Sequence, residues 1–552
     1  MRKAAHQGAV PSTPPPFLRS PPFPRIEAQV AALSAPVGGG QAAEVDDGVI
    51  EAIALARVGG SFWGPQVTGV KLLVGQDIDP PACLTQGLAP DEIGMLAGRG
   101  GVAGRRLLSA NSDPWTLVEQ AEAICAAPDD EVALVAAALG KAVHGPDGAV
   151  LDPVALRGTL RMRIGSAIYR DCHSGAAADV RRVVEILSDW RRFVDANKGL
   201  AAASGMAFWK REVMRHFLWD GERSPPFLGV RNGLAVAKRQ GRALAIWPSR
   251  VPPATGAQAD ATGVKLARVE DGFLRSRGLG AALHPPGSVV VDRRGLYYDA
   301  GRPSDLEYLL ATRDYPDALT ERAARLRARI CATGVSKYGA QGADILPLPE
   351  GRRTILAVGQ VDDDLSVKLG GAGVSGNLDF LARVRQSEPD AWIVYRPHPD
   401  VQAGHRRGHL TQAEMLRHAD AVDSGSALMP LVERVDAVHV LSSLTGFEAL
   451  IRGRAVTVHG MPFYAGWGLT RDLAPPCPRR GRALTLDQLV AGALILYPRY
   501  LDPMTHLWCG PEVMIDRLAS GAIPPLNWLI RMRMLQGKLR RFMTVSAEFF
   551  RG

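Results

Sequence analysis

Two adjacent carboxylates, Glu270 and Asp271, come directly after the run KLARV, which has the composition of a short strand. In open α/β sheets, ligands bind beyond the carboxyl ends of the strands. A carboxylate at that point can attack an electrophilic carbon or exchange a proton with a substrate. The same pair could also cap a turn or a helix, so both interpretations stay open.

An arginine and a histidine, Arg396 and His398, follow the apolar run AWIVY within the segment RPHP. The two prolines of this segment restrict its backbone. A guanidinium and an imidazole at a strand end can bind a phosphodiester or protonate a leaving phosphate. The alternative is that the histidine has only a structural role.

Two serines, Ser442 and Ser443, stand between the apolar run VHVL and a segment of helical composition, FEALI. A hydroxyl-rich turn at a helix N-terminus binds anions such as phosphate or carboxylate. An ordinary helix cap would use the same residue types. The glycine-rich and aromatic segment GMPFYAGWGLTRD comes shortly afterwards and favours a binding site, because long loops of this kind usually line one.

A glutamine and three aspartates follow the strand-like run ILAVG: Gln360, Asp362, Asp363 and Asp364. Adjacent aspartates are consistent with a metal site, with loop capping or with recognition of sugar hydroxyls. We predict that no metal binds here.

The segments around these clusters alternate short apolar runs with helical patterns, which predicts an α/β fold. Residues 205–350 carry the carboxylates, and residues 351–515 carry the other clusters. We predict two Rossmann-like domains facing a cleft, a GT-B glycosyltransferase layout, with a nucleotide-sugar donor mainly on the second half. Residues 516–552 predict a basic amphipathic helix that either lies on an anionic membrane or packs against the core.

The first part of the chain differs in character. Residues 1–45 are rich in proline, alanine and glycine, and we predict that they are disordered. Residues 46–200 repeat part of the second half: VKLLVGQDID resembles ILAVGQVDDD, and YRD at 169 parallels YLD at 500. The repeat has AAPDD in place of Ser442–Gly446, and we find no counterpart of RPHP or of the half preceding Ile355. We therefore predict a truncated, degenerate and inactive Rossmann-like repeat with a structural or docking role.

The chain has 552 residues and a net charge of +9, which favours anionic partners. Nucleic acid is excluded as a partner, because we find no zinc-finger spacing, RNP-like motif or lysine-rich arm. The six cysteines form no CxxC pair, which is typical of a reduced cytoplasmic protein. Prolines interrupt the N-terminal stretch where a signal peptide needs an apolar core, and no run of about 18 apolar residues could span a membrane.

Six ordered segments resemble KpsC-type capsule polysaccharide proteins, which are β-Kdo transferases of capsule assembly dependent on an ATP-binding-cassette (ABC) transporter. The segments are RVEDGFLRSRGLG, GLYYDAGRPSDLE, VGQVDDDLSVKLGG, VYRPHPDV, SSLTGFEALIRGRAVTVHGMPFYAGWGLT and LILYPRYLDP. The resemblance covers residues 205 to about 510. Full-length members carry two glycosyltransferase modules, and this chain resembles the C-terminal one in full.

The resemblance implies a retaining GT-B enzyme that moves Kdo from CMP-Kdo to a Kdo-primed phosphatidylglycerol linker, without a cofactor or a metal. Asp271 would be the nucleophile or catalytic carboxylate, assisted by Glu270. His398, supported by Arg396, would contact the cytidylyl phosphate. Donor contacts would come from five further residues: Ser442, Ser443, Glu448, Gln360 and Asp363.

The degenerate first module implies that this chain forms one linkage type only. A second Kdo transferase and the capsule ABC-transporter export complex are then the expected partners. The expected location is the cytoplasm, peripheral on the inner membrane. The alternative function is a non-catalytic capsule assembly or export factor that binds the Kdo-lipid linker.

Overall fold

The computed structural model of the chain describes residues 15–36, 45–97, 105–274, 285–335, 346–402 and 406–522. The chain divides into two compact units. Unit 1 comprises Met1–Gly199, Leu218–Ser224 and Thr505–Trp508, and unit 2 comprises Leu200–Phe217, Pro225–Met504 and Cys509–Gly552. Each unit combines helices with a parallel sheet, which confirms the predicted mixed α/β class.

Unit 1 is built from short strands and helices. Its strands are β1 (Ser34–Pro36), β2 (Leu72–Val74), β3 (Ile93–Leu96), β4 (Arg106–Leu108), β5 (Ala123–Cys125) and β6 (Ala167–Tyr169). Its helices are α1 (Ala28–Ala31), α2 (Asp47–Ala56), α3 (Ala82–Thr85), α4 (Pro114–Gln120), α5 (Glu131–Leu139), α6 (Pro153–Gly165) and α7 (Val180–Lys198). One sheet is parallel in the order β4-β3-β2-β5, and β1 pairs with β6 in antiparallel orientation.

The first half of unit 2 surrounds a mixed sheet. Its strands are β7 (Leu200–Ser204), β8 (Ala243–Ile246), β9 (Leu266–Asp271) and β10 (Ser288–Asp292), and its helices are α8 (Arg211–Phe217), α9 (Val230–Gln240), α10 (Thr255–Thr262), α11 (Asp305–Thr312) and α12 (Asp317–Thr333). Strands β7, β8 and β9 are parallel, whereas β10 is antiparallel to β9. The carboxyl ends of three adjacent strands therefore meet at one edge.

The second half of unit 2 surrounds a fully parallel sheet. Its strands are β11 (Thr354–Val358), β12 (Trp392–Arg396), β13 (Ala421–Val422), β14 (Ala437–Val440), β15 (Ala455–Val458) and β16 (Arg471–Asp472). Its helices are α13 (Leu365–Gly370), α14 (Gly376–Ser387), α15 (Pro399–Gln402), α16 (Gln412–Leu416), α17 (Leu428–Arg434) and α18 (Leu444–Ile451). The order is β13-β12-β11-β14-β15-β16. Apolar runs such as TILAV suit these strands, because parallel strands are covered on both faces.

The chain then returns to the first sheet. These last elements are α19 (Leu486–Val490), a π-helical turn (Ala491–Leu496), β17 (Arg499–Leu501), β18 (Trp508–Cys509) and α20 (Pro511–Ser520). The first sheet has the order β18-β17-β10-β9-β8-β7. One core cluster includes residues of both halves of unit 2, among them Val290, Leu356 and Phe447. Both halves are thus joined by apolar packing.

The internal repeat extends further than the sequence comparison suggested. Phe17-Leu18-Arg19-Ser20 has the same four letters as residues 273–276. The Ser34 hydroxyl of β1 donates to the Leu18 carbonyl at 2.6 Å, just as Ser288 of β10 donates to Leu274. Residues 15–36 are therefore a remnant of the half preceding Ile355, for which we had expected no counterpart.

The expectation of disorder over residues 1–45 is wrong for residues 15–36. Phe17 and Leu18 are buried, and β1 pairs with β6 in the register in which β10 pairs with β17. The proline-rich composition suggested an open chain, but these apolar side chains pack within unit 1. The predicted amphipathic helix at 516–552 falls largely on residues 523–552, which lie outside the described residues. Among the residues that are described, none of the helices is both long enough and apolar enough to cross a membrane.

Candidate active site

The two predicted carboxylates lie at the carboxyl end of β9, in the middle of the first sheet. Glu270 pairs with Val290 and Asp271 with Val289 across the antiparallel β9–β10 ladder. The Asp271 N–H donates to the Glu270 carboxylate at 3.0 Å. Both residues are thus the last two of the strand itself, whereas the sequence had placed them just past its end.

Asp271 has a basic partner that sequence reasoning missed. The Lys210 ammonium donates to Asp271 Oδ1 at 3.0 Å. The same ammonium lies 3.6 Å from the centre of the Trp247 ring. An ammonium over the face of an indole ring is stabilised by the ring's quadrupole. Lys210 and Trp247 follow β7 and β8, so three adjacent strands supply this cluster.

Two tyrosines, Tyr297 and Tyr298, are within electrostatic range of Glu270 and of Asp364 in the second half. The Tyr297 hydroxyl donates to the Asp271 carbonyl at 3.4 Å. Burial, with nearby Glu270 as the next cause, raises the pKa of Tyr297 well above its ordinary value, and the pKa of Tyr298 is raised for the same two reasons. The Asp364 charge raises both pKa values further. Glu270 and Asp364 thus act on the same two phenols, which stay protonated and can donate.

Gln360 and Ser442 bind each other across the strand ends of β11 and β14. The Ser442 N–H donates to Gln360 Oε1 at 2.7 Å, and Gln360 Nε2 donates to the Ser442 hydroxyl at 3.2 Å. The Asn377 side-chain amide accepts from the Gln360 N–H at 2.9 Å and donates to the Gln360 carbonyl at 2.7 Å. The structure thus brings together these two predicted residues and adds Asn377, which carries no sequence signal of its own.

Ser443 caps α18, which was the alternative interpretation of the serine pair. Its hydroxyl accepts from the Thr445 N–H at 3.2 Å, and its carbonyl accepts from the buried Tyr464 hydroxyl. A helix cap and an anion site are compatible, because the N-terminal amides of α18 keep their positive potential. Tyr464 belongs to the long aromatic loop that follows β15.

His398 directly precedes α15 and follows the end of β12. The Asp400 N–H donates to His398 Nδ1 at 3.1 Å, so Nδ1 is an acceptor. The neutral imidazole must then carry its proton on Nε2. An Nε2–H group is a suitable donor to a phosphate oxygen.

Arg396 binds within the protein. Its Nη1 forms an ion pair with the nearly buried Asp423 and donates to the Ser426 carbonyl at 2.7 Å. Arg396 side-chain exposure is 14%, and that of Asp423 is 3%. These contacts fix the loop after β13 against the end of β12, and a direct contact of Arg396 with phosphate stays a prediction.

Three candidate residues remain: Asp363, Asp364 and Glu448. Asp363 is exposed and pairs with Arg406 at 3.0 Å, and the hydrogen bond from this guanidinium lowers the Asp363 pKa. Asp364 caps α13 by accepting from the Ser366 N–H at 2.9 Å. Glu448 lies on α18, where it borders a mainly apolar recess. No group of three or more His, Cys, Asp and Glu within the described ranges could hold a metal ion.

An aromatic cluster connects the acidic strand end to the serine loop. Phe273, two residues after Asp271, stacks on Phe463 with ring centres 4.6 Å apart. Phe463 also contacts Phe447 of α18 at 5.1 Å. Because Phe463 belongs to the loop after β15, the cluster holds the polar ends of both sheets against one another.

The chain matches a known family and two groups of relatives. The family model described as "Capsule polysaccharide biosynthesis protein" matches residues 242–500. The lipopolysaccharide-processing protein LpsZ of Rhizobium meliloti is 41% identical over 309 residues, which cover 54% of this chain and 69% of LpsZ. The capsule polysaccharide modification protein LipA of Neisseria meningitidis serogroup A is 38% identical over 338 residues, or 61% of this chain. The match covers 48% of LipA, so the chain spans about half the length of that relative.

A solved structure is also similar to this chain. It is the β-Kdo 2,4 transferase of Thermosulfurimonas dismutans KpsC, with 32% sequence identity and a TM-score of 0.50. The similarity covers 58% of this chain and 98% of that structure. These findings agree with the resemblance on which the site residues were predicted.

Proposed function

The chain belongs to the capsule polysaccharide biosynthesis protein family, and on this premise we propose that it is a retaining β-Kdo transferase. It would move Kdo from CMP-Kdo to a Kdo-primed phosphatidylglycerol linker. One observation carries the proposal: the Asp271 carboxylate at the carboxyl end of β9 is paired with the buried Lys210 ammonium, in the same unit as the hydrogen-bonded Gln360–Ser442 pair of the second sheet. The similarity to a solved β-Kdo 2,4 transferase supports the sugar.

The two halves of unit 2 act in this proposal as the domains of a GT-B enzyme. The acceptor side is the sheet that ends in Glu270 and Asp271. The donor side is the sheet that ends in His398 and Ser442. Facing strand ends are the usual ligand positions of such sheets.

The transfer proceeds in two displacements. Asp271 attacks the anomeric carbon of Kdo, an ester bond forms, and the bond to the cytidylyl phosphate breaks. The acceptor hydroxyl then attacks the same carbon, Glu270 takes its proton, and Asp271 leaves as a carboxylate. Two inversions retain the β configuration, and a positioned carboxylate of this kind is a known nucleophile in glycosyl transfer.

The donor phosphate lies near the second sheet in this scheme. His398 donates from Nε2 to the phosphate, and Ser442 and Ser443 bring hydroxyls and helix amides to the phosphate or to the Kdo carboxylate. Arg396 supports His398 through its ion pair with Asp423. Donors placed where charge develops account for a large part of enzymatic rate enhancement.

Unit 1 takes no donor in this proposal, so the chain forms one linkage type. Pro15 stands where the matching FLRS segment of unit 2 is preceded by Asp271. Ala126 and Ala127 stand in place of the two serines. Next to these alanines, a carboxylate of the protein makes the polar contacts instead: Glu131 accepts from the Ser61 N–H at 3.1 Å and pairs with Arg19 at 2.6 Å.

Donor stoichiometry tests the role of unit 1. Calorimetric titration with cytidine 5′-monophosphate should give one site per chain, and His398→Ala should weaken that site. A second site that persists in His398→Ala would show that unit 1 binds nucleotide.

The decisive experiment is transfer from CMP-Kdo, generated in situ, to a synthetic Kdo-terminated acceptor, followed by mass spectrometry. We expect the addition of one Kdo residue by the wild type and none by Asp271→Ala. Folded protein that binds cytidine 5′-monophosphate but modifies no acceptor would refute the transferase. The protein would then be better explained as an assembly or export factor that binds the Kdo-lipid linker.

The wider setting follows from the same proposal. A separate Kdo transferase would make the second linkage, and the capsule ABC-transporter complex would receive the product. The net charge of +9 favours association with an anionic membrane surface.

A further inference from the structure

A lysine ammonium is buried beside the proposed nucleophile. Lys210 side-chain exposure is 7%, and that of its partner Asp271 is 19%. Removing an ammonium from water is costly unless an opposite charge or an equivalent group replaces the hydration. Asp271 at 3.0 Å and the Trp247 ring face at 3.6 Å supply that replacement. The fold therefore keeps a positive charge in contact with this carboxylate.

The position of Lys210 comes from the topology of the first sheet. A 3₁₀ turn, Phe208–Lys210, follows β7, Trp247 directly follows β8, and Asp271 ends β9. These strands are adjacent and parallel, so residues at their carboxyl ends converge. Lys210 thus lies at the edge of the sheet where ligands bind, although 61 residues separate it from Asp271.

The proposed donor presents an electrostatic problem at this point. Kdo is an ulosonic acid, and its anomeric carbon carries a carboxylate. An attacking Asp271 must bring its own negative charge next to that group. Two carboxylates at contact distance repel strongly in a partly buried site, unless a cation lies between them.

We propose that Lys210 bridges the Asp271 carboxylate and the anomeric carboxylate of the sugar during transfer. This inference rests on the proposed function. One N–H of the ammonium is bonded to Asp271 Oδ1, and a second donates to the sugar acid. No proton leaves Lys210: Asp271 forms the ester, the phosphate departs, and in the second step the ammonium stabilises Asp271 as it leaves again.

A lysine suits this task because its ammonium has three donors directed from one point. Lys210 also favours donor sugars that carry an anomeric carboxylate. A sugar without that carboxylate would leave the ammonium bonded to one anion instead of two. Lys210 is therefore a specificity-determining residue for acidic sugars as well as a catalytic one.

The test compares three variants of the 552-residue chain. Lys210→Met removes the charge, and Lys210→Arg keeps a charge. Lys238→Met is the matched control, because Lys238 is exposed on α9. We expect Lys210→Met to lower kcat about 10²-fold, as for the loss of one oriented group that stabilises transition-state charge. Lys210→Arg should recover part of that loss, and Lys238→Met should match the wild type.

Two further measurements separate chemistry from structure. The affinity for cytidine 5′-monophosphate, which has no sugar acid, should be unchanged in Lys210→Met. The covalent Kdo adduct, followed by intact-protein mass spectrometry, should form more slowly. A purely structural role predicts instead a lower melting temperature and fewer nucleotide sites, with normal kcat per remaining site, and that result overturns the proposal.

The outcomes are distinguishable from failure of the transferase itself. A wild type that transfers Kdo, together with a Lys210→Met variant of equal kcat, overturns the role of Lys210 and leaves the proposed function intact. If Lys210→Met does not fold, Lys210→Gln decides, because glutamine can donate to Asp271 but carries no charge. Wild-type kcat in that variant overturns the proposal, whereas a loss of kcat at unchanged nucleotide affinity supports it.

Discussion

Replacing Gln360 by methionine should open the serine loop without changing the volume of the side chain. Gln360 is 8% exposed, and its amide exchanges two hydrogen bonds with Ser442 at 2.7 and 3.2 Å. Methionine fills a similar space but cannot accept from the Ser442 N–H. The turn that leads into α18 thus loses its anchor on the neighbouring strand.

The size of the effect follows from the lost acceptor. A buried donor left without a partner costs about 1–3 kcal/mol. If this cost falls on local opening of the loop, the Ser442 amide should exchange about 5- to 150-fold faster, since each 1.4 kcal/mol is tenfold. The affinity for cytidine 5′-monophosphate should fall as well, because the closed loop is the binding-competent state.

The internal repeat provides a matched control. Gln76 occupies the corresponding position in unit 1 but is exposed, and its backbone N–H, not its side chain, is bonded to Asp130. Gln76→Met should therefore change stability by less than about 0.5 kcal/mol. Hydrogen exchange of peptides that cover Ser442 and Asp130 measures both effects in comparable loops.

The reasoning is refuted if Gln360→Met and Gln76→Met exchange at wild-type rates. It is also refuted if Gln360→Met speeds exchange but leaves nucleotide affinity unchanged, because the loop would then be irrelevant to the donor.

Two further predictions concern the second half of unit 2. Burial, followed by neighbouring positive charges, lowers the pKa of His439 to about 3 and that of His459 to about 4. The unfolded chain therefore takes up protons first as the pH falls below about 6.5, so stability should decrease from there downward. The urea midpoint of unfolding, measured at several pH values, should decrease as the pH falls below about 6.5. This pH dependence should be weaker in the double variant His439→Gln/His459→Gln. An alanine methyl at Gly446 would clash with the Tyr464 hydroxyl, whereas one at Gly425 would meet open space. Gly446→Ala should thus weaken nucleotide binding and Gly425→Ala should not; equal affinities would contradict the packing argument.

Local patterns predicted the elements that carry the site. The runs before Gln360 and Ser442 are buried parallel strands, and Ser443 caps the next helix. Strand and helix periodicity and capping chemistry depend on neighbours in sequence, so a single chain reveals them. The alternative interpretation of Asp364 as a loop cap was also available from its position and matches the structure.

The N-terminal remnant shows where local reasoning failed. The letters FLRS at residues 17–20 repeat those at 273–276 and were sufficient to find it. Proline-rich flanks suggested disorder, because composition was given more weight than the short match. Phe17 and Leu18 are nevertheless buried, since apolar side chains pack wherever a complementary surface exists.

The sequence by itself determined which polar clusters end the strands, which family motifs they belong to, and that unit 1 lacks the paired serines. Only the tertiary structure decided which residues contact these clusters. Lys210 pairs with Asp271 and lies over the Trp247 ring, and Asp423 forms an ion pair with Arg396. The physical reason is that these contacts join residues from different strands and loops. Sheet order brings such residues together, and sheet order depends on the packing of the whole unit rather than on any local pattern.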